Sequence, residues 1–278
     1  MPAVFGIDTS GPATDALNTQ ATPWIGGPPK FWGRYFNGTA TNTKYQYDTS
    51  ENAVLYQLGI PVLCFARQMW AVGDATAAQG HAQLNMQGVV DAFGAPYLLG
   101  LNIAPILYLD LEPETHHPEH VMAQQYYQNW AATITAGFRV GARTIRFRPA
   151  VYLNMGDNRQ SLINLNAACA GGAVCAGISV AHYVRQPGSD PDVGPPPPVG
   201  SMAWNAADVT PQPNPIPPPH PTAQIAVLVW QYYGDYPKVK LPNGKVQDGD
   251  IDFEMVNPAY STVVLSGVVP PPPPPPTV

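Results

Sequence analysis

Ala104-Pro105-Ile106-Leu107-Tyr108-Leu109-Asp110-Leu111-Glu112-Pro113-Glu114 decides how this 278-residue chain is read. The stretch begins as a near-continuous apolar run, the pattern of a strand covered on both faces. It ends in acids, and Pro113 lacks the N–H that a central strand must donate, so the strand stops there. Asp110 and Glu112 are two residues apart and leave the same face. Two same-facing carboxylates at the C-terminal tip of a buried strand are costly unless they are paired, solvated or used. The leading reading is that they are used. The alternatives are that they bind Arg34 or Arg67, or cap the following helix.

Working outward, six more segments read as strands: Val4–Ser10, Phe31–Phe36, Ile60–Phe65, Ala150–Asn154, Gly177–Tyr183 and Ile225–Tyr232, the last strong one; Ile251–Phe253 closes the unit. Helical patterns lie between several of them. Ala53–Leu58 is closed by Gly59, and Asp74 caps an Ala/Gln-rich helix from Ala75 to Phe93. A helix opened by Pro118 runs to Thr135 and stops at Gly137, and a further one spans Asp157–Cys169. Residues 11–30 read as a polar Pro/Gly-rich loop. Residues 186–221 read as a Pro-rich insertion with one embedded strand at Met202–Trp204. Asn37-Gly38 stops the second strand, and Asn243-Gly244 marks a hairpin between residues 234 and 249.

Strands alternating with helices predict a parallel sheet. About eight strand candidates in one continuous pattern predict an α/β fold of the single (β/α)8 TIM type, irregular in its last strands, over residues 1–265. A polyproline tail occupies 266–278. Barrels of this kind hold their chemistry at the C-terminal strand ends. The polar residues ending strands here are Asp8, Arg34, Arg67, Asp110, Glu112, Asn154, His182 and Gln231.

Composition narrows the function. Apolar residues make up 45% of the chain, enough for a large core, whereas charged residues are only 12%, about half the usual share. The net charge of −6 and the lack of any basic run argue against a nucleic-acid partner. No stretch approaches the ~18 apolar residues of a membrane span. Met1–Phe5 lacks a charged segment followed by an apolar one, so no secretory signal is read there. Cys169 and Cys175 are spaced for a local disulfide or remain thiols, and Cys64 reads as a buried thiol. His116, His117 and His120 cluster after Glu114 without a second acid-rich group at ligand spacing, so no metal is expected. No phosphate-binding Gly loop or Ser/His/Asp spacing is present, and no cofactor is expected.

Four motifs, in this order, resemble the family 25 glycoside hydrolases, the Chalaropsis-type lysozymes. They are Gly6-Ile7-Asp8-Thr9-Ser10, Asp110-x-Glu112, Trp230-Gln231-Tyr232 and Asp248-Gly249-Asp250-Ile251-Asp252. Gly33-Arg34-Tyr35 and Gly73-Asp74-Ala75 with its Ala-rich helix are more similar to the neighbouring glycoside-hydrolase-like group DUF1906. The resemblance spans residues 4–256. It implies a barrel that cleaves the β-1,4 bond of N-acetylmuramic acid in peptidoglycan. It also implies Glu112 as general acid, Asp110 as the stabiliser of the oxazolinium or oxocarbenium centre, and Asp8 and Asp252 as outer acids. Asp252-Phe253-Glu254 departs from the Asp-x-Asn expected there, and the Pro-rich insertion has no counterpart.

Glycoside hydrolysis needs a proton donor of raised pKa beside a carboxylate that stays ionised. The charge of Asp110 would raise the pKa of Glu112. Glu114, beyond Pro113, reads as a loop or helix-start acid. Arg34 is expected to orient the carboxylates through a salt bridge. Tyr108 and Trp230 are either core or sugar-stacking platforms, and Tyr152, Asn154, Tyr183 and Gln231 are candidate hydrogen-bonding walls. The expected partner is peptidoglycan or a related amino-sugar glycan, with a protein docked on the polyproline tail as a further expectation. The expected location is extracellular or the cell envelope, reached by phage or a secretion apparatus. The alternative function is a catalytically weak glycan-binding or structural module of the same fold.

Overall fold

The computed structural model describes residues 3–36, 45–67, 72–111, 120–154, 158–183, 196–205, 225–237, 239–241, 246–247 and 249–272. Its elements, in chain order, are β1 (Val4–Thr9), α1 (Asp15–Ile25), β2 (Trp32–Tyr35), α2 (Glu51–Leu58), β3 (Val62–Arg67), α3 (Ala78–Phe93), α4 (Ala95–Leu98) and β4 (Ile106–Asp110). There follow α5 (Gln124–Ala136), β5 (Phe138–Val140), β6 (Arg143–Ile145), β7 (Arg148–Asn154), α6 (Arg159–Ala170) and β8 (Ile178–Ala181). The chain closes with β9 (Val227–Tyr236), β10 (Val239–Lys240), β11 (Val246–Gln247), β12 (Ile251–Val256) and α7 (Ser261–Leu265).

Eight of the strands close into one barrel in the order β1-β12-β9-β8-β7-β4-β3-β2. The neighbours from β1 through β2, β3, β4, β7 and β8 to β9 are parallel, whereas β12 runs antiparallel to both β9 and β1. The cause is the last connection. A parallel return needs a crossover, usually a helix, but between β9 and β12 the chain forms the β10/β11 hairpin. The expected Asn243-Gly244 turn lies outside the described residues.

Strand alternation separates two apolar layers. On β3, Val62, Cys64 and Ala66 pack outward against the helices, while Leu63 and Phe65 pack inside the barrel. On β4, Leu107 and Leu109 face outward and Ile106 and Tyr108 inward. The same parity sends Gly33 and Tyr35 of β2, Ala150 and Tyr152 of β7, and Val256 of β12 inward. The foot of the barrel is filled by large side chains: the Phe31 ring takes the space a Cβ at Gly6 would need, 2.5 Å away. The interior is therefore a largely packed core, and the C-terminal ends of the parallel strands offer polar groups.

Several expectations are corrected. Residues 15–25, read as loop, form α1 despite Pro23; the Thr14 side chain caps it by accepting from the Leu17 N–H at 3.2 Å. Met202–Trp204 is not a strand but extended chain after a short 3₁₀ turn at Val199–Ser201. The helix expected from Pro118 begins at Gln124. The β5/β6 hairpin was not anticipated. Cys169 and Cys175 are free thiols in hydrogen-bonding contact, and Cys64 is a buried thiol. Beyond α7, Val268 accepts from the Val62 N–H at 2.8 Å, and the Tyr97 hydroxyl donates to the Val269 carbonyl. The segment leading to the proline run is thus fastened to the foot of the barrel, opposite the strand ends that carry the acids. Pro217–Pro219 and Pro273–Pro276 lie outside the described residues.

Candidate active site

Parity and register bring acids from the first, fourth and last barrel strands to one place. Asp8 shares the inward face of β1 with Gly6, and Asp8 pairs directly with Asp252 across the β1–β12 ladder. Glu254, two residues further along β12, leaves the same face as Asp252; its neighbours are Gly6 on β1 and Gln231 on β9. Asp110 is the inward-facing last residue of β4. Asp8 and Asp110 are only 2% and 3% exposed, Glu254 is fully buried, and Asp252 is partly exposed.

Electrostatics shows how closely they gather. The Asp8 carboxyl is held well above the usual carboxylate range, first by burial, then by the charges of Asp252 and Glu254, contact with Asp252, and the charge of Asp110. Glu254 is pushed up to about 8, chiefly by burial and then by Asp252, against a lowering contact from Asp8. Among the described residues no donor reaches either oxygen of Glu254 or Oδ1 of Asp8. A carboxyl–carboxyl contact becomes a hydrogen bond only when one partner is protonated. Asp252 is different: its Oδ1 accepts from the Asp235 N–H at 2.6 Å. Asp235 is in the left-handed region with φ 60°, which turns its N–H toward that carboxylate.

Tyrosines surround the acids. The Tyr152 hydroxyl donates to Gln231 Oε1 at 2.5 Å. Burial, then the neighbouring Tyr183, Tyr35, Asp8 and Asp252, keep that hydroxyl protonated. Tyr183 is exposed and leans over Gly234, where a Cβ would lie 2.6 Å from its hydroxyl oxygen and 3.1 Å from Asp252 Oδ1. Arg67 stands beside Asp110 in the β3–β4 register, its guanidinium carbon 4.4 Å from the Tyr45 ring centroid and 5.7 Å from that of Tyr35. Gly33 admits no side chain: a Cβ there would come within 2.5 Å of the Asp8 Cβ and 2.4 Å of the Phe65 ring.

The expected site residues are distributed as follows. Asp8, Asp110, Asp252, Tyr152, Tyr183 and Gln231 come together. Asn154 ends β7 nearby, in register with Ala181. Arg34 does not join them. It lies outward on β2, fully buried, and makes a two-toothed ion pair with Glu51 at 2.7 and 3.0 Å, so the carboxylate it orients is a structural one. Trp230 also faces outward, donating from Nε1 to the His182 carbonyl at 2.8 Å and packing edge-on against Trp204 and Tyr232. Tyr108 is inside the barrel but completely buried beneath the acids, with Glu254 as its electrostatic neighbour. Glu112, Glu114, His116 and His117 lie outside the described residues. Among the described residues no group of three or more His, Cys, Asp or Glu is arranged to hold a metal ion. Glu254 was missed, although strand parity in Asp252-Phe253-Glu254 already put it on the face of Asp252.

Fold and site together define an α/β barrel with clustered acids at the C-terminal ends of its parallel strands. No family model matches the chain, and no curated protein sequence does. Among solved structures it is similar to an uncharacterized B. stearothermophilus protein determined at 1.07 Å: 16% identity, TM-score 0.59, over 95% of this chain and 98% of that one. That likeness is one of fold. A second neighbour is the catalytic domain of endolysin ply40 from bacteriophage P40 of Listeria monocytogenes: 14% identity, TM-score 0.45, over 95% and 98% of the two chains.

Proposed function

We propose that the chain is a glycoside hydrolase of (β/α) barrel type acting on bacterial cell-wall peptidoglycan or a related amino-sugar glycan. The observation that carries this is the convergence of Asp8, Asp110 and Asp252, more than 240 positions apart at the extremes of the chain, on one set of strand ends. Core packing has no use for such a gathering of like charges. Hydrolysis of a glycosidic bond does, since it needs one carboxyl that is protonated and one that is not. In the proposed scheme Glu112 protonates the leaving oxygen, Asp110 stabilises the positive charge developing at the sugar, and Asp8 and Asp252 fix the substrate from the opposite wall. Retention of configuration follows if the second carboxylate or the substrate's own acetamido group attacks. Tyr152, Tyr183 and Gln231 supply hydroxyl and amide contacts to the sugar. Such a substrate places its action at the cell envelope or outside the cell, with the proline run as a tether to a protein partner.

The test is incubation with purified peptidoglycan and identification of the new ends by mass spectrometry. New muramic reducing ends, lost in Glu112→Gln and Asp110→Asn, are expected. Full release by Glu112→Gln removes the scheme. A second reading is favoured by the near-complete burial of Asp8 and Asp110: a glycan-binding module of the same fold with weak or no turnover. It expects sedimentation with peptidoglycan and no new reducing ends.

A further inference from the structure

The barrel interior holds one carboxyl that the hydrolytic scheme leaves without a task. Glu254 is completely buried, and both its oxygens lack a donor. The groups facing it come from four directions. Asp8 on β1 touches it, and Asp252 on its own strand acts on it by charge. From β4 the Tyr108 hydroxyl lies in its field, and Arg148 at the start of β7 influences that hydroxyl in turn. From β9 comes Gln231, whose amide oxygen is already taken by Tyr152. Asp110 and Tyr152 face Asp8 on its other side. Every charged influence on Asp8 is a carboxylate. Gly6, opposite Glu254, offers no side chain, and the Phe31 ring fills its place with carbon.

Two touching carboxyls in such surroundings repel when both are ionised, and among the described residues no donor reaches Glu254 or Oδ1 of Asp8. A single proton between them removes both penalties at once. We propose that Asp8 and Glu254 share a proton through the neutral range, and that Glu254 is a positioning residue that holds the pair at one negative charge beneath the mouth of the barrel. Burial and the neighbouring carboxylates disfavour full ionisation of the pair. The pair then presents one negative charge instead of two to a ligand, with the remaining charge on the acids nearer solvent. This rests on Asp8 lining the proposed site. It does not depend on turnover.

The experiment is infrared titration of the full-length protein without glycan, following the carbonyl stretch of protonated carboxylic acid. Wild type is expected to show this band at pH 7 and to lose it as the pH rises through about 8. Glu254→Gln should move the midpoint down by at least about one pH unit, because Asp8 loses a like-charged neighbour and gains an amide donor. Asp8→Asn should do the same for Glu254 and serves if the first variant does not fold. Absence of the band in wild type at pH 7, or a midpoint indifferent to both substitutions, overturns the shared proton. A protein that shows the expected titration but cleaves no glycan refutes the hydrolase reading alone.

Discussion

Two glutamates are buried on either side of the barrel wall, and they are treated in opposite ways. Glu51, at the start of α2, lies outside the wall and is 2% exposed; Glu254, on β12, lies inside and is fully buried. Glu51 accepts from four donors: Arg34 Nε at 2.7 Å, Arg34 Nη2 at 3.0 Å, the Ala13 N–H at 2.6 Å and the Asp48 N–H at 2.9 Å. Glu254 accepts from none among the described residues. Arg34 further donates from Nη1 to the Thr9 carbonyl at 2.6 Å, so one ion pair ties β2, α2 and the end of β1 together. A fully satisfied buried charge acts as an anchor, whereas an unsatisfied one acts as a weak acid. The wall thus separates the group that fixes the strand ends from the groups those ends present.

The largest expected effect lies on the satisfied side. Glu51→Ala leaves the Arg34 guanidinium buried without its counter-charge and should cost about 3–5 kcal/mol of stability, read from urea unfolding. A loss below about 1 kcal/mol would mean that the pair does not anchor the barrel and that the contrast with Glu254 is empty.

Next comes the pH dependence of stability on the unsatisfied side. Glu254 titrates near 4.5 when unfolded and near 8 when folded, and Asp8 is shifted in the same direction. Between those values the folded state holds a proton that the unfolded chain gives up. Stability from this source therefore falls as pH rises from about 4.5 through about 8, and is level on either side. At about 1.4 kcal/mol per pKa unit the loss is on the order of a few kcal/mol. Thermal unfolding across this range should show it, and Glu254→Gln should flatten it. A melting temperature that climbs from pH 5 to pH 9 in wild type contradicts this assignment.

A smaller effect is expected where the two sides meet. Gly33 lies between the Arg34 anchor and Asp8, and the Cβ of Gly33→Ala would fall within 2.5 Å of both Phe65 and Asp8 side-chain atoms. Overpacking of this kind costs about 1–3 kcal/mol. Because the clash is with Asp8 itself, the variant should also shift the carboxyl titration, which a strain confined to Phe65 would not do.

How much of this the sequence disclosed depends on the range of the interaction. Alternating strand and helix patterns were enough to read seven of the eight barrel strands, because apolar parity is a local signal. Asp8 and Asp110 were legible as strand-end acids for the same reason, whereas Asp252 came only from the resemblance. Arg34 was legible as a strand-end cation, but its partner was not. Glu51 is 17 residues away and looked like an ordinary first-turn helix acid, and only the packing of α2 on β2 brings them together. The direction of β12 was hidden in a connection with no helix, where a hairpin decides. α1 was obscured by its Pro/Gly-rich flanks and by Pro23, although Thr14 followed three residues later by Leu17 fits a helix start. Glu254 is legible by parity, two residues from Asp252 on the same strand, but nothing in the sequence shows that Gly6 and Phe31 leave it without a donor.

The smallest expected effect tests whether the tyrosine wall belongs to the acid cluster or only covers it. Tyr152 donates to Gln231 Oε1 at 2.5 Å, and Gln231 is 1% exposed and lies beside Glu254 in the β9–β12 register. Tyr152→Phe keeps the ring and removes the donor, leaving a buried amide oxygen short of a partner. The cost should be about 1 kcal/mol, at the upper end of an ordinary hydrogen bond if the amide cannot reorient. A double-mutant cycle with Gln231→Met isolates the bond, and a coupling of about 0.5–1.5 kcal/mol is expected from residues in direct contact. If the cycle shows coupling and the infrared titration of Tyr152→Phe also moves, the wall and the acids are one network. If the coupling is present but the titration stays fixed, Gln231 insulates the acids from the wall, and Tyr152 serves the barrel rather than the site.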